Sequence, residues 1–313
     1  MADVAVGIVI PVFEEEESLP TLAVEIRIAC ETAGLTFEVW LVDDGSRDGS
    51  WAEICRLNKA DTRFKGLKLR RNYGKSAALA AGFASVQAEV VVTMDADLQD
   101  DPREIASLVE MVHGGFDLVS GWKRLRKDPL SKTLPSRFFN FVTRLVSKIP
   151  LHDFNCGLKA YRVDVVKALH IYGEMHRYLP LLAKWEGFDR IGEREVQHRA
   201  RRHGRSKFGL ERYVRGCLDL VTVTFLTRFT ARPMHFFGTL GLLAFLGGLG
   251  LSLWITIDKM VYGNPVGDRP ALLLGVLLIM VGVQAMCTGF IADLLIRRHM
   301  EDASSYVITE SRI

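Results

Sequence analysis

The chain has 313 residues, 49% hydrophobic and 25% charged, with 40 Lys and Arg against 37 Asp and Glu and a formal net charge of +3. This is the composition of a globular protein with a well-buried core. The five cysteines (Cys30, Cys55, Cys156, Cys217, Cys287) are scattered, odd in number and without CxxC spacing, which excludes a disulfide framework and a zinc site and fits reduced thiols.

Apolar runs at residues 4–10, 39–42, 67–69, 90–94 and 117–119 read as short buried strands, and the segments around 19–33, 49–58, 76–86 and 103–112 between them read as helices. This alternation predicts a parallel sheet covered on both faces. The first apolar run, 4–12, is too short and lacks the basic start of a signal peptide. Ligands of such sheets sit beyond the carboxyl ends of the strands. The polar loops 11–17, 43–46, 70–75 and 95–101 follow the first four strands and converge there. In the fourth, Asp95 and Asp97 flank Ala96 and, if the segment stays extended, turn both carboxylates toward one hard divalent ion. Gln99 offers a further neutral oxygen. Asp100 and Asp101, just before Pro102, read as helix caps outside the site.

Two basic clusters come next: Lys123, Arg124, Arg126, Lys127 and Lys132, then Arg199, Arg201, Arg202, Arg205, Lys207, Arg212 and Arg215. Either can hold anionic headgroups at about 1 kcal/mol per residue. Segments 134–149 and 213–229 mix apolar residues with basic ones and suit helices lying in a membrane interface; for 134–149, packing under the sheet is the alternative. Residues 234–257 and 271–292 contain no Asp, Glu, Lys or Arg, so each reaches the ~20 residues of a membrane span. The turn-rich 258–270 closes them into a hairpin. Arg228, Arg232, Arg297 and Arg298 flank the hairpin, whereas its loop balances Asp258 and Asp268 against Lys259 and Arg269, which predicts a multi-pass protein of the inner (plasma) membrane with the head and both termini cytoplasmic. Asp293 reaches the interface or pairs with an arginine. With a hairpin and few aromatics near the basic clusters, nucleic acid is not the expected partner. Residues 306–309 are β-prone and can pair with a neighbouring subunit.

The runs PVFEEEESL, LVDDGSRDGS, RRNYGKSAAL, DADLQDDP, DFNCGLKAY and RRHGRSKFGL, in this order, resemble the motifs of family-two nucleotide-sugar glycosyltransferases of the GT-A fold. Within them the chain is most similar to the polyisoprenyl-phosphate glycosyltransferases, the group of dolichyl-phosphate mannose synthase and the bacterial undecaprenyl-phosphate glucosyltransferases. The resemblance implies an α/β, Rossmann-like GT-A catalytic domain with interfacial helices and a C-terminal two-helix transmembrane hairpin. Its parts would be a nucleotide-sugar half (1–133), an acceptor half (134–231), the hairpin (232–298) and a cytoplasmic tail (299–313).

By the same resemblance Pro11, Val12 and Glu15 contact the nucleoside, and Asp43 and Asp44 receive base and ribose; Glu14, where the family usually has Asn, is given no role. Arg71 and Lys75 lie near the nucleotide, though Lys75 equally reads as a solvated first-turn helix residue. Asp95, Ala96 and Asp97 face nucleotide and metal, with Gln99 on the metal side and Mg2+ or Mn2+ as the ion. Arg201, Ser206 and Lys207 match an RxxGxSK element that closes over phosphates, with Gly204 supplying flexibility. Asp153 matches the acidic residue of a D-x-x-C-G element, and three roles stay open: catalytic base, positioning of acceptor and metal, or a structural turn. A phosphate monoester has a second pKa of about 6, so the acceptor is already largely anionic at pH 7 and a strong base is optional.

The implied reaction is inverting transfer from a nucleotide diphosphate sugar to polyprenyl phosphate, in which Arg201 and Lys207 help to stabilise the departing diphosphate. The bacterial likeness points to UDP-glucose; GDP-mannose, UDP-N-acetylhexosamine and UDP-aminoarabinose are alternatives, and relatives imply a homotetramer in contact with membrane lipids. A processive polysaccharide synthase would need a QxxRW sequence, which the chain lacks, and more than two spans. A non-catalytic membrane scaffold would tolerate loss of Asp97, and a soluble-acceptor transferase would need no hairpin.

Overall fold

The computed structural model describes residues 4–124, 140–141, 143–145, 147–171, 173, 175–199, 233–263, 265 and 270–302, with side chains as far as 295. Two compact units divide it, residues 1–223 and 224–313. The first carries strands β1 (Val6–Val12), β2 (Phe37–Asp43), β3 (Phe64–Lys68), β4 (Val90–Thr93), β5 (Leu118–Trp122), β6 (Lys159–Arg162) and β7 (Ile191–Glu195). Helices α1 (Leu19–Thr32), α2 (Ser50–Ala60), α3 (Lys75–Ser85) and α4 (Glu104–His113) link the first five strands.

The sheet is mixed rather than all parallel, in the order β3-β2-β1-β4-β6-β5-β7. β6 runs antiparallel between β4 and β5, with Val91 opposite Tyr161 and Leu118 opposite Tyr161 on the other side. The other pairings are parallel. The reversal decides where the site forms. Because β6 is inverted, its first residue, Lys159, lies level with Thr93 at the end of β4 and Ser120 near the end of β5. The D-x-x-C-G run just before β6 therefore arrives at the same sheet edge as the loops after β1 to β4.

Alternation along the strands feeds two cores, as expected for a sheet covered on both faces. Ile8, Ile10, Leu41, Val92 and Ala160 pack with Leu22 and Ile26 of α1, Ile54 of α2 and Leu108 of α4. Val9, Val42, Val91 and Tyr161 pack with Leu79 and Phe83 of α3 and with Val165 and Leu181 of two later short helices, Val163–Ala168 and Leu179–Trp185. Pro11 is tolerated near the end of β1 because the β1–β4 ladder has already ended at Val9 and Thr93.

The second unit is a pair of helices, Pro233–Tyr262 and Pro270–Asp302. Each is long and apolar enough to cross a bilayer, and large apolar side chains such as Leu243, Trp254, Leu273 and Leu294 point outward. Between the helices the contact is made by glycine. A Cβ at Gly248 would lie 2.5 Å from the Gly275 carbonyl oxygen, and one at Gly241 or Gly282 would lie 2.6 Å from the other's carbonyl oxygen. In lipid, helices associate by such close backbone approach, since burying apolar side chains gains nothing there. Gly248→Leu should therefore weaken the hairpin by about 1–3 kcal/mol, read as a lower midpoint of unfolding in detergent. An unchanged midpoint would show that the seam contributes little.

Candidate active site

Four loops meet at the carboxyl edge and are tied together by their own side chains. After β1, the Glu14 amide donates to Ser46 Oγ (2.9 Å) and the Glu15 amide to Ser50 Oγ (2.9 Å), so the first loop rests on the second. Glu14 has φ +55°, a left-handed backbone that asparagine adopts more readily than glutamate. That accounts for the asparagine usual in the resembled motif. After β2, Asp44 accepts hydrogen bonds from the amides of Tyr73 (2.7 Å) and Gly74 (2.9 Å), which fixes the loop entering α3. Gly45 has φ +72°, and a Cβ there would lie 2.5 Å from the Arg71 carbonyl carbon, so only glycine lets these two loops touch. Asp43 accepts the Ser46 amide on Oδ1 (2.9 Å), while its buried Oδ2 has no hydrogen-bond partner among the described residues. A buried carboxylate oxygen left in that state calls for a donor from beyond the described residues.

Lys75 opens α3. A cation at a helix N-terminus opposes the helix dipole, yet Lys75 is not a solvated first-turn residue: its ammonium bonds to Asp95. Asp95 also lies against Gly157, where a Cβ would fall 2.6 Å from its Oδ2. The acidic loop does not stay extended as expected. Ala96 and Asp97 form a turn, Asp97 Oδ1 accepts the Gln99 amide (3.2 Å), and Leu98 is held at φ +61°. Ala96 and Leu98 are buried in the core, which anchors this strained backbone. Asp101 does not cap α4 but braces the turn ahead of it, accepting the Arg103 amide at 3.1 Å and pairing with Arg103 (2.6 Å) and Arg199 (2.8 Å). Asp100 does not cap; it is buried in an ion pair with Lys123 at 2.6 Å.

Asp153 is 2% exposed, its Oδ1 accepts the Asn155 amide (3.1 Å), and its carbonyl accepts Ser120 Oγ (3.3 Å). Beside it lies a group the motifs did not single out. Lys159 is 2% exposed and donates to the Cys156 carbonyl. Burial lowers its pKa, against the opposing pull of Asp153 and Asp95. For Asp95, burial works against ionisation, but Lys75, Lys123 and Lys159 outweigh it and hold the carboxyl at about 2. Burial pushes the Cys156 thiol up to about 12, so it stays protonated. Lys75, Lys123 and Lys159 thus face Asp95, Asp100 and Asp153 in a charge-balanced cluster.

Pro11 and Val12 end β1, level with Val42 and Asp43 of β2, and Arg71 is exposed with its guanidinium over the Tyr73 ring. Arg201, Ser206 and Lys207 lie outside the described residues, as do half of segment 134–149, all of 213–229 and residues 303–313. The chain comes close to the acidic loop just before them: the Arg199 amide donates to the Gln99 carbonyl (2.9 Å), and its guanidinium pairs with Asp101 and with Glu25 (2.6 Å). Lys159 had one signal in the sequence, a lone lysine between Leu158 and Ala160 in an apolar run.

A family model described as glycosyl transferase family 2 matches residues 7–169, from β1 through the Val163–Ala168 helix. The chain belongs to that family. Among its family-two relatives, dodecaprenyl-phosphate galacturonate synthase of Rhizobium johnstonii is 38% identical over 97% of this chain and 92% of its own length. The undecaprenyl-phosphate 4-deoxy-4-formamido-L-arabinose transferase of Pseudomonas syringae pv. syringae is 36% identical over 95% and 87%. Among solved structures, glucosyl-3-phosphoglycerate synthase of Mycobacterium tuberculosis, in complex with Mn2+, UDP and glucosyl-3-phosphoglycerate, superposes with a TM-score of 0.57 over 72% of this chain and 80% of that one. At 17% identity this is a likeness of fold, the GT-A fold.

Proposed function

We propose that this glycosyltransferase moves galacturonate from its uridine diphosphate sugar to polyprenyl phosphate, with inversion. The acceptor phosphate oxygen bonds to the anomeric carbon as the bond from that carbon to the diphosphate breaks, and UDP leaves. The observation that carries the reading is the meeting of the acidic loop 95–99 with Asp153 and Lys159, which the antiparallel β6 brings from the later half of the head. Galacturonate is the sugar named for the Rhizobium relative, which aligns over nearly the whole chain, hairpin included. Formamido-arabinose, named for the Pseudomonas relative, is the second reading. UDP-glucose rests only on a general bacterial likeness.

The unpaired Oδ2 of Asp43 suits an N–H of the base, while Asp44 shapes the wall of that pocket. Because the lysines and carboxylates of the cluster balance, the charge of the diphosphate must be met by other groups. Arg201 and Lys207 are the residues proposed for this, with Ser206 donating a hydrogen bond. Asp95 and Asp97, with the neutral oxygen of Gln99, are the residues that would hold a hard divalent cation beside the diphosphate. Mg2+ or Mn2+ held there would supply charge neutralisation for the leaving diphosphate. Lys159 screens Asp153 from the acceptor's dianion, so Asp153 can position that phosphate without repelling it.

The lipid side has support in the described part of segment 134–149. There Asn140, Thr143 and Ser147 are buried while Phe141 and Leu145 are 54% and 67% exposed. Polar residues inward and apolar residues outward suit a helix that rests on a membrane interface better than one packed under the sheet. The test is transfer of label from UDP-galacturonate, UDP-glucose, UDP-4-deoxy-4-formamido-L-arabinose and GDP-mannose to undecaprenyl phosphate, with Mg2+, Mn2+ or chelator. Label from UDP-galacturonate that chelator abolishes is expected. Label from another donor alone would overturn the choice of sugar, and none from any would overturn the reading.

A further inference from the structure

His176 lies in a short 3₁₀ turn, Met175–Tyr178, and is joined to the first turn of α3 by a two-point contact with Ser76. The His176 amide donates to Ser76 Oγ at 3.0 Å, and the same Oγ lies 3.0 Å from the ring Nδ1. The Ser76 hydroxyl proton has no other acceptor among the described residues, so it goes to Nδ1. Nδ1 is then the lone-pair nitrogen, and a neutral ring must carry its proton on Nε2. Burial, with the charges of Lys75 and Arg177, lowers the imidazole pKa to about 3 and keeps the ring neutral at working pH. Nε2 makes no hydrogen bond among the described residues, and the ring lies within the electrostatic reach of Lys75, Asp95 and Lys159.

We propose that His176 is a donor-specificity residue whose Nε2–H, aimed by Ser76, hydrogen-bonds an oxygen of the transferred sugar. The inference rests on the nucleotide-sugar reading of the site. Ser76 and Lys75 are adjacent, so the turn that carries His176 stands over the nucleotide half while belonging in sequence to the later half that carries Asp153. On the nucleotide-sugar reading, the transferred sugar lies between those halves. A neutral donor is also the right chemistry there, because it can hold a sugar oxygen without setting a further positive charge beside an anomeric carbon that becomes cation-like during transfer.

Two side-chain amides separate this role from a structural one. In His176→Asn the amide oxygen takes the place of Nδ1 and keeps the Ser76 contact but has nothing at Nε2. In His176→Gln the amide nitrogen takes the place of Nε2 and the Nδ1 acceptor is lost. The experiment measures UDP affinity by calorimetry and steady-state transfer from UDP-galacturonate to undecaprenyl phosphate, with full-length protein in detergent. We expect His176→Asn to bind UDP as the wild type does and to lose about tenfold in kcat/KM, the worth of one hydrogen bond, with His176→Gln recovering most of it. Wild-type transfer in the Asn variant with loss in the Gln variant would assign the ring to the Ser76 contact alone and overturn the proposal. So would equal loss of UDP binding in both. A wild-type protein that binds no UDP would overturn the nucleotide-sugar reading and this inference with it.

Discussion

Asp97→Ala should lower kcat for sugar transfer by about 10²–10³-fold while leaving UDP affinity nearly intact, because a fixed charge aimed at developing charge is worth about 3–4 kcal/mol in the transition state. The structure makes a sharper version possible. Asp97 has two separable features: its charge, and the acceptance of the Gln99 amide by Oδ1, which holds the turn next to the left-handed Leu98. Asp97→Asn keeps an oxygen in the place of Oδ1 and removes the charge. If charge is what matters, both variants lose turnover alike, and rising Mn2+ rescues neither fully. If the turn is what matters, the asparagine variant stays active. An alanine variant that raises only the donor KM would contradict a transition-state role altogether.

Why Asp97 could be singled out from sequence, while its neighbours in space could not, follows from how the sheet is built. The β1 to β5 strands and the four helices between them announce themselves by apolar runs, and their observed bounds lie within a few residues of the expected ones. β6 is different: Lys159–Arg162 is four residues with a lysine at its head, too short and too polar for periodicity to reveal. Its antiparallel direction depends on the whole path between β5 and β6, which no local pattern encodes. Every group that reaches the site through that inversion was therefore out of view as a neighbour of Asp95. Asp153 was found by motif, but its companion Lys159 and the more distant His176 were not. The same holds for Asp100, where proximity to Pro102 pointed to a cap and the partner, Lys123, is 23 positions further on. Capping logic came nearer for Asp101, which accepts an amide two residues away in the turn ahead of α4 without being its cap. Local chemistry was legible, and pairings across strands were not.

Lys159→Met should abolish most transfer activity without destabilising the head. Burial lowers the Lys159 pKa in the fold in spite of the two carboxylates nearby, so the ammonium is less stable there than in the unfolded chain. The sign follows from proton binding: wherever the unfolded lysine holds its proton more tightly than the folded one, raising the pH stabilises the fold. Wild-type stability should thus gain as pH climbs from the depressed folded pKa toward the ordinary lysine value of 10.5, and Lys159→Met should lack that gain. Methionine loses the hydrogen bond to the Cys156 carbonyl, worth about 1 kcal/mol, but it also relieves the burial of a charge, and such exchanges for apolar residues are often neutral or stabilising by about 1–4 kcal/mol. Urea unfolding at pH 7 should then give a stability equal to the wild type or higher. Activity goes the other way, since Asp95 and Asp153 lose a shared counter-charge: the acid limb of the pH–rate profile should move up, as Asp95 is no longer held so far below the usual carboxylate range. A variant about 3 kcal/mol or more less stable than the wild type, with an unmoved acid limb in the protein that remains folded, would make Lys159 an ordinary structural ion. A stable and inactive variant would mean that the head accepts a buried charge for the sake of its reaction.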